Sequence, residues 1–398
     1  MLTVDEYIEK GLIHSIHTSE RRAFRACRRR WDWAYREGYH PTVMAKPLEF
    51  GIAYHVAMEV WYDPDSWLKD REAQSQHAVQ AFKQTVYDQY TRYVELNGIP
   101  EDLVVDDYNE RLELGVAMVE YYTKKVSPVL DVGLTPLAVE IPFEVPLGFR
   151  CNCNMCWTKW SASEEYKADF KMKDEVFGVK DDYAYRTSFW SGLSVTFGGR
   201  IDAIMMDEQG RVFCFDWKTT SKILDDYDEA AFLELDDQVA GYPVALRKLG
   251  KRVDGFIYHE QRKAVPAAPK MLTREYKGKM FSVDKNAPVE YDSFLNAIMN
   301  KDLRAYNMGF YDDYLEHLQG PMAPKFYQRH SVIKTDIQIN NFWSDLIEEA
   351  KDMLREPRIY PQPSRFSCNS CLYRVPCDGK NRGEDYEYTL KTLFIGSR

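Results

Sequence analysis

The 398-residue chain has no apolar run long enough to cross a bilayer, for which about 20 residues would be needed. No apolar segment follows Met1 either, and Val4 to Glu9 is already polar and mixed, so neither an anchor nor a secretory leader is expected. Positive charge is not in excess. Lys and Arg number 52 against 62 Asp and Glu, a net charge of −10, so the overall balance does not announce a nucleic-acid binder. Particular patches decide phosphate contacts, however, and the sum does not exclude them. Internal repeats and low-complexity tracts are missing, which points to one folded body with decorations. Cysteine is sparse, at eight residues. In the cytoplasm, the expected location, thiols stay reduced and serve metals or clusters rather than disulfides.

What is present starts with Gly199-Arg200-Ile201-Asp202 and, thirteen residues on, Phe215-Asp216-Trp217-Lys218-Thr219-Thr220. Strand alternation puts Val212, Cys214, Asp216 and Lys218 on one face and Phe213, Phe215 and Trp217 on the other. Glu208, Gln209 and Gly210 suit a tight connection, and a hairpin closed there sets Asp202 opposite Asp216. Two carboxylates and an ammonium would then converge, a set able to hold Mg²⁺ or Mn²⁺ with Lys218 beside a metal-bound water. Acid and lysine alternating on an exposed sheet face are also common without any such role.

The order of residues along the chain adds to this. His55 lies in Phe50-Gly51-Ile52-Ala53-Tyr54-His55, and Gln238-x-x-x-Tyr242 follows the Asp-x-Lys strand. With Asp202, Asp216 and Lys218, this ordered set resembles the RecB-like branch of the PD-(D/E)xK nuclease superfamily. The resemblance implies an α/β fold of the restriction-endonuclease type, a central mixed sheet flanked by helices. It implies catalytic roles for His55, Asp202, Asp216, Lys218, Gln238 and Tyr242, with His55, Asp202, Asp216 and the Trp217 carbonyl on the metal. The implied activity is metal-dependent hydrolysis of DNA, by exonuclease action on single-stranded or unwound ends, in recombination, repair or phage DNA processing. A recombination or helicase protein is the implied partner. Pro243 departs from a smooth helix at Tyr242, since proline removes a backbone bond. Taken singly, His55 reads first as an ordinary core or surface helix residue, and Glu140 first as a plain strand-edge acid, with an orienting role for Lys218 or a ligand as the other reading.

Cys368, Cys371 and Cys377 form C-x2-C-x5-C, with Cys27 alone near the other end. A two-residue gap lets two sulfurs face one metal. Four cysteines suit either a 4Fe–4S cluster or tetrahedral zinc. The split is similar to iron–sulfur members of the RecB-like branch, including AddB-type subunits and CRISPR-adaptation nucleases, and implies a structural cluster tying the chain ends together. Cys151, Cys153 and Cys156 form a separate run that reads as three Zn²⁺ thiolates lacking an evident fourth ligand, or as free thiols; any of eight His could complete it.

Arg21, Arg22, Arg25, Arg28, Arg29 and Arg30 surround Cys27. If helical, they form a solvated face or a phosphate-contacting one, with Arg22, Arg25, Arg29 and, beside the hairpin, Arg200 as the candidate DNA contacts. The expected organisation is a single nuclease domain over 1–398. It comprises an N-terminal helical region (18–136), a catalytic core (137–260) with an insertion at 148–192 set apart from the catalytic strands, a C-terminal extension (261–356) and a cluster-binding segment (357–398). One helix is expected over 18–36. Two other readings stay open: a catalytically silent nucleic-acid-binding or assembly subunit on a nuclease fold, and a zinc-scaffolded interaction protein.

Overall fold

A computed structural model describes residues 4–42, 46–67, 69–97, 105–223, 231–356 and 358–396. The turn expected at Gly98-Ile99-Pro100 lies outside them. The strands are β1 (Ile13–His17), β2 (Tyr39–Pro41), β3 (Thr135–Cys151), β4 (Leu193–Met206), β5 (Val212–Thr220), β6 (Gly255–Arg262), β7 (Met271–Tyr276), β8 (Lys279–Phe281), β9 (Tyr327–Val332) and β10 (Phe394–Gly396). Six of them make a mixed sheet in the order β1-β4-β5-β6-β9, with β3 on the other edge of β4. The pairs β1–β4 and β5–β6 are parallel, and β3–β4, β4–β5 and β6–β9 are antiparallel. This is the central mixed sheet flanked by helices that the sequence led us to expect.

The helices that matter for the site are α1 (Thr18–Ala26), α2 (Lys46–Trp61), α3 (Arg71–Asn97), α4 (Val105–Tyr121), the short α5 (Asn154–Ser161), α6 (Glu164–Phe177) and α7 (Asp182–Ser188), then α8 (Asp237–Lys248) and α9 (Asp336–Arg355). Helices α2, α3 and α4 cover one face of the sheet, where Phe213, Phe215 and Trp217 of β5 pack with Tyr54, Met58, Trp61 and Phe82. Helices α1, α8 and α9 belong to the other face, where Val195, Phe197, Cys214 and Phe256 meet Val239, Tyr242 and Leu346. The alternation expected along β5 is therefore present, with each apolar set buried in its own core. Residues 281–318 build a third, smaller core around Phe294 and Tyr311.

Three local features differ from the sequence expectation. The helix expected over 18–36 breaks at Cys27, whose backbone is extended (φ −167°, ψ 115°) before a short turn of helix resumes at Arg28. Helix α8 continues unbroken through Pro243, because burial of Val239 to Leu246 holds it despite one missing hydrogen bond. Strand β3 continues to Cys151, so the excursion carrying α5, α6 and α7 starts from a paired strand end rather than from a loop.

The two chain ends are joined as well. β2 pairs with β10, and Trp33, Tyr373, Leu390 and Phe394 share a small core beneath that ribbon, with the Tyr373 and Phe394 rings stacked at 4.8 Å.

Candidate active site

The site forms where β4 loses its neighbours. Along one edge β4 pairs with β1 only from Ser194 to Gly198, and with β5 only from Ala203 to Met206. The β4–β5 ladder stops at Ala203–Phe215, and the next residues in that register are Asp202 and Asp216. Beyond this fork β5 runs on beside β6 as far as Thr220. A three-residue connection sets the register: Asp207 and Arg211 close it, and Gly210 takes the left-handed conformation (φ 71°). Alternation along β4 also slips at the fork, since Ile201 and Ala203 lie in opposite cores. Directly beside it, Glu140 of β3 has a left-handed backbone (φ 49°), uncommon for a residue with a side chain. Gly199 is required just upstream, because a Cβ there would meet the Phe143 ring at 2.6 Å.

At the fork the strand ends are held by side chains. The Trp217 N–H donates to Asp202 Oδ2 (3.1 Å), and His55 Nδ1 on α2 lies 3.1 Å from the same oxygen. Potential ligand atoms of His55, Glu140 and Asp202 lie within 4.8 Å of one another. Asp216 is fully buried, and its oxygens lie 2.8 and 2.9 Å from Lys218 Nζ. Gln238 Nε2 reaches Asp216 Oδ1 (3.3 Å) and the Tyr242 hydroxyl (2.8 Å), so the two α8 residues stand over the Asp-x-Lys strand.

Charge is unevenly matched here. Burial is the chief influence on Asp216; together with the Asp202 charge it outweighs Lys218 and holds the carboxyl up at about 6. Glu140 is also raised, by burial first and Asp202 next. Burial works against the Lys218 ammonium, but Asp216 and Asp202 overcome it and raise its pKa. Asp202 is lowered because His55, Lys218 and the Trp217 N–H overcome its burial, and His55 is raised in turn by Asp202 against its own burial. Three carboxylates thus crowd around one ammonium and one imidazole. Oxygen and imidazole donors with surplus negative charge suit a hard divalent cation, which would let the raised acids ionise.

The predicted residues His55, Asp202, Asp216, Lys218, Gln238 and Tyr242 are brought together. For Trp217 the contact present is its N–H on Asp202. The arginines are differently placed. Arg22 pairs with Asp236, Arg25 with Asp237 and Glu349, and Arg21 with Glu349, so these guanidinium groups brace α1 against the N-terminus of α8 and against α9. Arg29 donates to Asn381 and to Cys377 Sγ. Arg200 pairs with Glu140 while staying two-thirds exposed.

Cys27, Cys368, Cys371 and Cys377 line one cavity of about 110 Å³ with Arg29, Arg30 and Trp33. The break at Cys27 fits this placement, for its sulfur accepts the Gln362 N–H (3.4 Å). Among the described residues, groups of three or more ligand atoms within 4.8 Å of one another include His14 with Cys151, Cys153 and Cys156, but not this four-cysteine set.

Two residues were underweighted by sequence reasoning. Glu140 had only its place on a strand to mark it, and no alternation rule reveals a left-handed backbone. His14 sits in Ile13–His17, a five-residue strand whose Ile13 and Ile16 gave too short an apolar pattern to identify.

Among the described residues no helix is long and apolar enough to cross a membrane. A family model described as PD-(D/E)XK nuclease superfamily matches residues 18–378 of the chain. A comparison with curated proteins finds no match.

Proposed function

Because the chain belongs to the PD-(D/E)XK nuclease superfamily, we propose that it is a divalent-metal-dependent deoxyribonuclease acting on single-stranded or unwound DNA ends, as an exonuclease in recombination, repair or phage DNA processing in the cytoplasm. The observation that carries this reading is the fork at Asp202 and Asp216, which gathers His55, Glu140, Lys218, Gln238 and Tyr242 around one point. His55, Asp202 and Glu140, with Asp216 and the Trp217 carbonyl alongside, would hold Mg²⁺ or Mn²⁺. Such an ion would supply a water of lowered pKa and offset the negative charge gathering on the phosphoryl oxygens.

The protein's own groups do the rest. Lys218, kept an ammonium by its two carboxylate neighbours, orients the attacking water and faces a non-bridging phosphate oxygen. Gln238, already donating to the Tyr242 hydroxyl, fixes that ring beside the scissile region. Exposed Arg200 is a candidate backbone contact. Arg22, Arg25 and Arg29 act first through their partners within the chain, which leaves them a smaller share in binding DNA.

For the four cysteines we propose a 4Fe–4S cluster rather than zinc. A tetrahedral ion with Zn–S bonds of about 2.3 Å brings its sulfurs roughly 3.8 Å apart. The sulfurs here share a cavity without that closeness, which suits a larger body held by four thiolates.

The test is direct: purified protein is incubated with end-labelled single- and double-stranded DNA, with Mn²⁺, with Mg²⁺ and with a chelator. Cleavage is expected with either ion, none with the chelator, and recovery when Mn²⁺ is returned; cleavage that survives chelation rules out a metal nuclease. Glu140→Gln is expected to raise the Mn²⁺ concentration for half-maximal cleavage about 10-fold or more, on the scale of lost groups around metal sites. A metal titration matching the parent's would remove Glu140 from the ligand set.

A further inference from the structure

We infer that His14, Cys151, Cys153 and Cys156 bind one Zn²⁺ as a closed structural centre that locks the excursion between β3 and β4 onto β1. This does not depend on the nuclease reading, because zinc content can be measured whether or not DNA is cut.

The four ligand atoms lie within 4.8 Å of one another, and His14 Nδ1 is 3.1 Å from Cys156 Sγ. Three of the residues are buried, with His14 7% exposed, Cys151 5% and Cys156 2%. The local structure explains how they converge. Cys151 is the last residue of β3, paired with Leu193, and Cys153 is the N-cap of α5, its sulfur accepting the Cys156 N–H at 3.5 Å. A strand end, a cap and a first helical turn thus aim three sulfurs at one point. His14 comes from the opposite side of β4, where it pairs with Val195. Strands β1 and β3 flank β4, which sets them roughly 9–10 Å apart, and an ion held by both would clasp the sheet across β4.

The donor set decides the metal. Three soft thiolates and an imidazole suit tetrahedral zinc, whereas Mg²⁺ and Ca²⁺ take oxygen ligands. The spacing matches one ion, since Zn–S near 2.3 Å and Zn–N near 2.0–2.1 Å place donors roughly 3.5–3.8 Å apart. A cysteine–histidine nucleophile would use a single thiol and leave the other two beside it without purpose. Three thiols also cannot pair off as disulfides, and all eight cysteines are free. One further contact joins the same elements: Lys159 of α5 donates to the Ile13 carbonyl of β1 (2.9 Å). With four protein ligands no position is open for substrate, and Val195 is seven residues from Asp202, roughly 23 Å along the strand. The centre therefore organises the fold and takes no part in cleavage.

Metal analysis of the purified parent protein is expected to find one zinc per chain beside any iron. His14→Ala and Cys156→Ser are expected to lose at least about four-fifths of it, while His14→Cys, which replaces the imidazole by a fourth thiolate, keeps it. Should the losing variants prove insoluble, His14→Cys decides: its Co²⁺ d–d bands should shift from the parent's, because only a centre that includes residue 14 exchanges an imidazole for a thiolate. Zinc released by titration with a mercurial thiol reagent and replaced by Co²⁺ should give thiolate charge-transfer bands and tetrahedral d–d bands, both also present in His14→Cys. A soluble parent without zinc, with iron in this centre, or with Co²⁺ bands indifferent to His14→Ala overturns the assignment.

Discussion

Lys218→Ala is expected to lower Mn²⁺-supported cleavage by about 10²–10³-fold or more, the scale seen when one group facing developing charge is removed. Its ammonium is the only cation within bonding distance of the fully buried Asp216 among the contacts described. Removing it strands a carboxylate already held at about 6, so Asp216 takes up a proton near neutrality and the metal site loses charge as well. Asp216→Asn separates the two effects. It deletes the buried charge, keeps the shape and should fold at least as well as the parent, while cleavage falls by a similar factor. The checks are initial rates on labelled DNA at saturating Mn²⁺ beside thermal melts of both variants. Unchanged cleavage in either folded variant would sink the nuclease reading.

Cys377→Ser should bleach the protein and destabilise it. Protein purified without oxygen is expected to be brown with a broad visible shoulder, and the variant colourless with little iron. Closing a chain across more than three hundred residues is worth about 6 kcal/mol on the entropic estimate for cross-links. The loss should be smaller here, because the β2–β10 ribbon and the Trp33, Tyr373 and Phe394 core already hold those ends together. Denaturant melts of parent and variant measure it. A colourless parent carrying stoichiometric zinc at these cysteines would replace the cluster by a single ion. An insertion at 148–192 set apart from the catalytic strands, as the sequence suggests, would let Cys151→Ser leave the fold largely intact. Its place at the end of β3, beside His14 of β1, now makes it a destabilising change too.

The contrast between these cysteine sets shows what could be read from the chain. The hairpin was legible because alternation, a three-residue connection and an acid at the right distance all act locally. Convergence of His55, Gln238 and Tyr242 on it was legible only through resemblance, since nothing local aims a helix at a strand. The arginine run was ambiguous for the opposite reason. Arg21, Arg22 and Arg25 share a helix face, but their partners Asp236, Asp237 and Glu349 lie more than two hundred residues away, and no spacing rule reaches that far. The break at Cys27 and the unbroken path through Pro243 were likewise decided by tertiary packing, which overrides local preference at both.

The ribbon of β2 and β10 sets a clock on biosynthesis. Tyr39 must wait for Gly396, its partner, about 350 residues later. At translation rates of about 5–20 residues per second, that is a delay of roughly 20–70 s, during which the sheet can already form from β1 to β9. Trp33 and Cys27 stay uncovered throughout, beside an otherwise folding domain. Whatever occupies the cysteine cavity can therefore be sealed in only after residues 368–396 have emerged, and a chain stopped before Cys368 would keep its sheet and its docked α1 while leaving residues 27–41 uncovered, with an exposed Cys27 thiol for quality-control machinery to find.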